Sequence, residues 1–558
     1  MTVLETPAAA EPKPDWWQRR YTFTGTAVGM VFLWLSLTPS LLPRGPLFQG
    51  VVSGAAGAIG YGLGVFGVWL VRFMQSRPAS PAPPRWAWKV LMIVAAIGVL
   101  TGIVYFRYWQ DHVRDLMGVP RLQWFNYIQA AVIGVLLLFV FVEVGQLIGK
   151  LVRYLNRQLS RVAPPRVSFV VTLVVLLSVF IAVLNGVVVR GTMSLLNKTF
   201  SAVNDEMDPN LPTPTTALRS GGPGSLASWA SLGHQGRIFI HGGPTVAQLT
   251  EFNKAPATEP IRAYAGLHSA DGIRATAELA AAELERAGGL KRKVVAVATT
   301  TGTGWINAAE ADSLEYMYNG DTAIVSMQYS FLPSWLSFLV DKENARQAGQ
   351  ALFEAVDAKV RALPEAQRPK IVVFGESLGS FGGEAPFLSP NNIIARTDGA
   401  LFSGPTFRNT LRDDVTDNRD PGSPEWLPIF DDGANLRFAA RAENLGRPDA
   451  PWGAPRIVYL QHASDPIAWW TPQLLFTEPD WLREPRGYDV SKDMNWIPVV
   501  TFLQVAADMA VAVDVPDGHG HRYVKDVVNA WAAVLQPPGW TPEKTATLRG
   551  RVTQDYPQ

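Results

Sequence analysis

Apolar residues are distributed unevenly along the chain. Up to about residue 190 they come in long unbroken runs, near Tyr21 to Leu42, Val51 to Val71, Trp88 to Tyr105, Phe125 to Ile148 and Val167 to Val189. Each run approaches the roughly 20 residues that a helix needs to cross a bilayer, so the pattern predicts five membrane spans. A cleaved leader fits poorly, because it would leave four further spans unexplained. Past Gly236 the pattern changes to short β-branched runs alternating with helical periodicity, which predicts a mostly parallel sheet with helices on both faces. Residues 201–236, rich in Pro, Thr, Ser and Gly, separate the two regimes as a linker. The expected organisation is a polar segment over 1–20, a multi-pass α-helical membrane domain over 21–200, the linker, and an α/β domain over 237–558.

Composition agrees with a membrane part: of 558 residues 48% are apolar and only 17% charged. A net charge of +1 lacks the basic surplus that nucleic-acid binding requires. The chain has no cysteine, so thiolate catalysis, disulfides and cysteine metal sites are excluded. Charge placement adds an orientation. Lys13, Arg19 and Arg20, then Arg72, Arg77, Arg85 and Lys89, then Lys150, Arg153, Arg157, Arg161 and Arg166 fall on one side of the predicted spans. Only Arg44, Arg107, Arg114 and Arg121 fall on the other. Positive residues gather on the cytoplasmic side, so the N-terminus is expected inside and the α/β domain outside. Gly50, Gly54, Gly57, Gly60, Gly64 and Gly67 line the second span at helical spacing, a pattern that lets helices approach closely. Glu143 is read as a carboxylate satisfied near a span end by water or Arg153. Thr38 to Arg44, with two prolines, and Asp111-His112 are read as turn and loop chemistry on the outer side.

The candidate chemistry centres on Ile371 to Gly383. Four apolar residues of a buried strand run into Gly375-Glu376-Ser377-Leu378-Gly379, the G-x-S-x-G pattern of a nucleophile elbow. The motif is unspecific alone, and its surroundings decide. Upstream, a helix is predicted from Asp341, as its cap, to Leu363, and strands at Thr322 to Gln328 and Val294 to Ala298. The latter ends in Thr299-Thr300-Thr301-Gly302-Thr303-Gly304-Trp305, where an α/β-hydrolase places its second oxyanion donor. Thr303 and the N–H of Leu378 are therefore the expected oxyanion pair; His241-Gly242-Gly243 lies two strands too early. Downstream, Ala400 to Phe402 and Arg456 to Gln461 read as strands, the second followed by His462-Ala463-Ser464-Asp465-Pro466. Asp465 stands where the acid belongs. A last strand is predicted at Ala510 to Val515, before Pro516-Asp517-Gly518-His519-Gly520-His521. Of seven histidines only His519 and His521 follow Asp465, and both lie in this one loop. Both remain open as the base. His521 completes a G-x-G-H pattern; His519 follows directly on the predicted strand end and is narrowly preferred. Insertions over 404–455, where lids are commonly found, and 467–500, with Trp469, Trp470, Trp481 and Trp496, complete the domain; the tryptophans fit an interfacial belt, an acyl-chain slot or ordinary core.

Taken together, Leu37-Thr38-Pro39-Ser40-Leu41-Leu42-Pro43-Arg44, Gly302-Thr303-Gly304-Trp305, Gln328 to Leu336, Glu376-Ser377-Leu378-Gly379, Ser464-Asp465-Pro466 and Gly518 to Tyr523 resemble the bacterial membrane-anchored α/β-hydrolases. That resemblance implies a serine-hydrolase-like domain on a multi-pass anchor in a bacterial inner (plasma) membrane, and names no substrate. The expectation is a serine hydrolase (esterase or lipase) or acyltransferase acting on lipidic or envelope esters, with Ser377, Asp465 and one of His519 and His521 as catalytic residues, and no cofactor or metal. The alternative is a non-enzymatic transport, assembly or lipid-binding protein that uses a hydrolase-like domain. The oligomeric state is not legible.

Overall fold

A computed structural model describes residues 20–76, 83–161, scattered positions between 164 and 178, 199–333, 336, 337 and 341–556. The chain divides into two compact units. The first draws on Met1–Leu176, Pro472–Glu478 and Ser491–Asp508, and the second on Leu177–Thr471, Pro479–Val490 and Met509–Gln558.

The first unit contains helices α1 (Phe23–Leu35), α2 (Pro46–Gln75), α3 (Arg85–Met117) and α4 (Trp124–Leu159). Among the described residues, α2, α3 and α4 are long and apolar enough to cross a membrane. The predicted first span is corrected: α1 has 13 residues and ends at Leu35, ahead of Pro39 and Pro43, which cannot continue a helix. The predicted outer loop at Asp111-His112 is corrected too, since α3 runs on to Met117 and Asp111 accepts the Tyr127 hydroxyl at 2.7 Å. The fifth predicted span lies largely outside the described residues. Glu143 is paired, with Arg20 and with the Tyr21 hydroxyl at 2.5 Å, so the partner is not Arg153. The glycine row brings helices together as expected. A Cβ at Gly54 would stand 2.6 Å from the Leu137 Cβ of α4, and one at Gly64 2.8 Å from the Thr24 carbonyl oxygen of α1.

Ser36 to Gly45 is irregular yet largely buried, which obliges every backbone group to find a partner. Side chains supply them. Gln49 and Gln504 donate to the Ser36 carbonyl at 2.9 and 3.1 Å, Gln504 also to that of Thr38 at 2.9 Å, and Arg114 to that of Arg44 at 3.3 Å. The Arg44 N–H reaches Gln110 at 2.9 Å. This is why the run tolerates two prolines: its geometry is held by glutamines and charged groups instead of a helical ladder.

The second unit is built on a seven-stranded sheet ordered β1-β3-β2-β4-β5-β7-β6, with every pairing parallel. The strands are β1 (Ile261–Ala265), β2 (Val294–Thr299), β3 (Thr322–Met327), β4 (Lys370–Glu376), β5 (Gly399–Ser403), β6 (Leu436–Ala439) and β7 (Arg456–Leu460). Successive residues serve opposite cores, as a pleat requires. Val295, Val297, Val373 and Phe402 pack with Leu284, Ala348 and Leu352 on one face. Ala296, Val372, Phe374 and Leu401 pack with Leu314, Val527 and Trp531 on the other. The first face is covered by α5 (Gly272–Arg286) and α6 (Lys342–Arg361); Ala308–Met317 and Asp526–Leu535 cover the second. Asp341 precedes α6 without capping it, because its carboxylate accepts the Ser330 hydroxyl at 2.9 Å.

Two strand predictions change. Ala510 to Val515 forms a 3-10 turn and bends, and no described strand follows β7. The edge beside β7 is filled instead by β6, from within the 404–455 insertion, so that insertion contributes to the sheet. Part of the predicted linker is tied to the sheet as well, with the Ser220 N–H on the Arg262 carbonyl at 3.2 Å. Trp469 and Trp481 are buried, with ring centroids 6.0 Å apart, and serve as core.

Candidate active site

Strand β4 delivers Ser377 into a turn at φ 58° and ψ −121°, a conformation costly for a residue with a side chain. The turn is over-determined by its surroundings. A Cβ at Gly375 would lie 2.5 Å from the Gly379 carbonyl oxygen, and one at Gly379 would strike the Thr299 carbonyl oxygen at the end of β2. Both glycines of the motif are therefore required by close backbone approach. The Ser377 N–H donates to the Ser403 carbonyl at 2.9 Å, fastening the turn to β5. Helix α7 (Leu378–Gly383) starts directly after Ser377, so the Leu378 N–H has no intrahelical acceptor. At the end of β2, the Thr301 N–H is spent on the Trp305 carbonyl at 2.9 Å and the Gly304 N–H on the Thr301 carbonyl at 3.0 Å. The Thr303 carbonyl accepts from the Gln328 amide at 3.1 Å.

Asp465, fully buried after β7, meets His521. His521 Nδ1 stands 2.6 Å from Asp465 Oδ2, which also accepts the Tyr523 hydroxyl at 2.8 Å, while Oδ1 accepts the Ile467 N–H at 2.9 Å. A carboxylate acceptor puts the proton on Nδ1 and leaves Nε2 basic. That Nε2 is buried and has no hydrogen-bond partner among the described residues. Burial alone would lower the imidazole pKa, but the Asp465 charge and hydrogen bond leave it raised above the ordinary histidine value. A Cβ at Gly404, the residue after Ser403, would lie 2.6 Å from His521 Cε1, which sets the ring over the strand end that holds the Ser377 turn.

The narrow preference for His519 is overturned. His519 turns to a different acid, with Nδ1 3.0 Å from Asp489 Oδ2, and Asp489 also accepts the Ser464 hydroxyl at 2.6 Å. The Ser464 hydroxyl in turn receives the Gly520 N–H at 2.8 Å, and His462 Nδ1 donates to the Gly520 carbonyl at 2.8 Å. Gly520, at φ 51°, is thus held at both ends between the two histidines. Successive loop positions point apart, and only one imidazole can face Asp465.

The sequence reading missed several groups here. Glu376, inside the elbow motif, is buried and accepts the Asn307 amide, which also donates to the Tyr523 carbonyl at 2.9 Å. Beside it the buried Glu310 accepts the Ser403 hydroxyl at 2.5 Å. Burial pushes the Glu376 carboxyl up to about 7, and burial with the neighbouring Glu376 charge raises Glu310 well above the carboxylate range. Asp489 left no signal in the sequence, whereas Glu376 and Tyr523 sat within quoted motifs. His241 is exposed at the end of the helix Gly233–His241, and Gly243 packs on the Arg262 guanidinium.

Comparison with known proteins decides the family. The model described as the Alpha/beta-hydrolase family matches residues 261–548, just over half of the chain. The chain belongs to the α/β-hydrolase family. A second model, described as the N-terminus of that family, matches residues 37–244. Comparison with curated proteins and with solved structures gives no match. In this α/β-hydrolase, among the described residues no cluster of three or more His, Cys, Asp or Glu side chains could hold a metal ion.

One pH effect follows from Glu376. Its folded pKa, about 7, exceeds the unfolded value of 4.5, so its stabilising contribution is complete below pH 4.5 and is lost as pH rises through 7. Glu376→Gln keeps an acceptor for Asn307 without the ionisation. The variant is expected to match wild type at pH 4 and to be more stable at pH 8, by on the order of 3 kcal/mol. Denaturant midpoints at the two pH values check this; an advantage that is equal at both pH values contradicts it.

Proposed function

We propose that this chain is a serine hydrolase or acyltransferase working through an acyl-serine intermediate. One observation carries the reading: His521 presents a buried, unpartnered Nε2 while Asp465 fixes its Nδ1 proton, beside the strained Ser377 turn. Ser377 Oγ attacks an ester or thioester carbonyl as His521 Nε2 takes its proton, and the imidazolium is stabilised by Asp465. The tetrahedral oxyanion is received by the N–H groups of Leu378 and Thr303. His521 then protonates the leaving alcohol or thiol. Water, or another hydroxyl acceptor, attacks the acyl-serine with His521 again as base, and Ser377 is restored. The test is a fluorophosphonate probe on the purified full chain: labelling at Ser377 supports the reading, and no labelling in active, folded protein opposes it.

The chain is further proposed to sit as a multi-pass protein in a bacterial inner membrane, with the α/β unit outside the cytoplasm and lipidic or envelope esters as substrates. The three long apolar helices and the basic-residue bias support this. A periplasm-dependent reporter fused after Gln558 should be active, and a cytoplasmic reporter at the same point silent. The reverse result contradicts the orientation.

A further inference from the structure

Asp465 Oδ2 serves two donors from one loop. It faces His521 Nδ1 at 2.6 Å and accepts the Tyr523 hydroxyl at 2.8 Å. Tyr523 is buried, and its placement is fixed on several sides. Its hydroxyl oxygen accepts the His462 N–H at 3.0 Å, and its ring stacks on the His462 imidazole with centroids 4.1 Å apart and planes 6° from parallel. The Tyr523 carbonyl accepts the Asn307 amide at 2.9 Å. A Cβ at Gly404 would stand 2.7 Å from Tyr523 Cε2, so the ring packs directly on the chain that follows β5. All of these residues belong to the second unit. A hydroxyl carries one proton. With the His462 N–H already directed at the oxygen, that proton goes to the Asp465 carboxylate, which when ionised can only accept.

Asp465 is already fastened through Oδ1 by the Ile467 N–H at 2.9 Å. What the phenol changes is the charge that His521 meets. A hydrogen bond to a carboxylate stabilises its charged form, and a carboxylate so stabilised holds a neighbouring imidazolium less strongly. Burial and the Asp465 charge keep the Tyr523 phenol well above its ordinary value, so it stays a donor. We infer that Tyr523 is a positioning residue: by sharing Asp465 Oδ2 with His521 it sets how readily His521 takes the Ser377 proton. This rests on the role proposed for His521. The other charged groups that bear on the pair are Glu376 at the end of β4, with Glu310 and Asp517 beside it, and Asp489 and Asp526 around His462.

The test compares the full chain in detergent with Tyr523→Phe and with a chain carrying 3-fluorotyrosine at position 523. Phenylalanine removes the donor. Fluorine makes the phenol more acidic, and so a stronger donor, at nearly the same shape. The expected signs are opposite. Without the phenol, Asp465 gives its full charge to the imidazolium, and the acidic limb of kcat/KM on a short acyl ester should move up by about half a unit to one unit, which is about three- to tenfold less at a fixed pH on the limb. Fluorotyrosine should move the limb down. Because Glu376 titrates near 7, both comparisons are repeated in Glu376→Gln, where the same two shifts are expected. The titration midpoint of the His521 ring, followed by NMR with histidine labelled at Cε1 and assigned by its loss in His521→Ala, should move with the limb. A lower plateau rate with limb and midpoint unmoved is what packing alone gives, and it overturns the inference. So does a fluorotyrosine limb that fails to fall, or a pair of shifts that vanishes in Glu376→Gln. Should Tyr523→Phe fail to fold, the fluorotyrosine protein decides alone. If the wild type itself shows no turnover and no fluorophosphonate adduct, the proposed function fails instead, and the NMR midpoints still decide whether Tyr523 sets the basicity of His521.

Discussion

Replacing Ser377 by alanine is expected to remove ester turnover, lowering kcat by at least about 10⁴-fold and leaving substrate affinity little changed. The size follows from the role. Removing one member of a nucleophile, base and acid set leaves only binding and oxyanion stabilisation, and those cannot supply the attacking atom. The substitution keeps the Cβ, so the backbone at φ 58° is no more strained than before, and the N–H of residue 377 still reaches Ser403. Loss of activity with unchanged thermal stability would place the effect in the chemistry. Retention of more than a tenth of wild-type kcat would show that Ser377 is not the nucleophile.

The second large effect separates the two histidines. His521→Ala should be as damaging as Ser377→Ala, because among the described residues no other imidazole hydrogen-bonds Asp465. His519→Ala should cost much less, roughly tenfold or below, because His519 acts only through Asp489 and the clamp on Gly520. The pH profile adds a direction. In wild type, kcat/KM should rise along a limb above the ordinary histidine pKa of 6.5, since Asp465 raises His521. Asp465→Asn should lower that limb as well as the rate. Equal losses in the two alanine variants would contradict the assignment.

These assignments show how far residue patterns alone could reach. Strands β2, β3, β4, β5 and β7 were legible because each is a short β-branched or apolar run bounded by turn residues, and buried parallel strands need little else. The meeting of Asp465 with a histidine of the later loop was legible because the fold sets the order in which such groups follow one another. The choice of histidine was not, since loop direction depends on Gly520 at φ 51° and on its hydrogen bonds with Ser464 and His462, which are distant in sequence from that loop. Edge strand β6 was hidden in a polar insertion, because an edge needs only one neighbour and four residues. The first span was overestimated for the opposite reason: Leu37, Leu41 and Leu42 are apolar, but Pro39 and Pro43 remove the helix and leave Gln49, Gln110, Gln504 and Asp508 to satisfy the backbone. Gln110, Gln504 and Asp508 come from far along the chain, and no local pattern announces them.

The most direct test of the central claim is to catch the acyl-serine. Purified full-length protein is mixed with a short acyl p-nitrophenyl ester, quenched in acid within the first turnovers, digested and mapped by mass spectrometry. An acyl group on Ser377, absent from Ser377→Ala and formed far more slowly in His521→Ala, is the predicted result. Turnover with no acyl group on Ser377, or an identical adduct in Ser377→Ala, would contradict it.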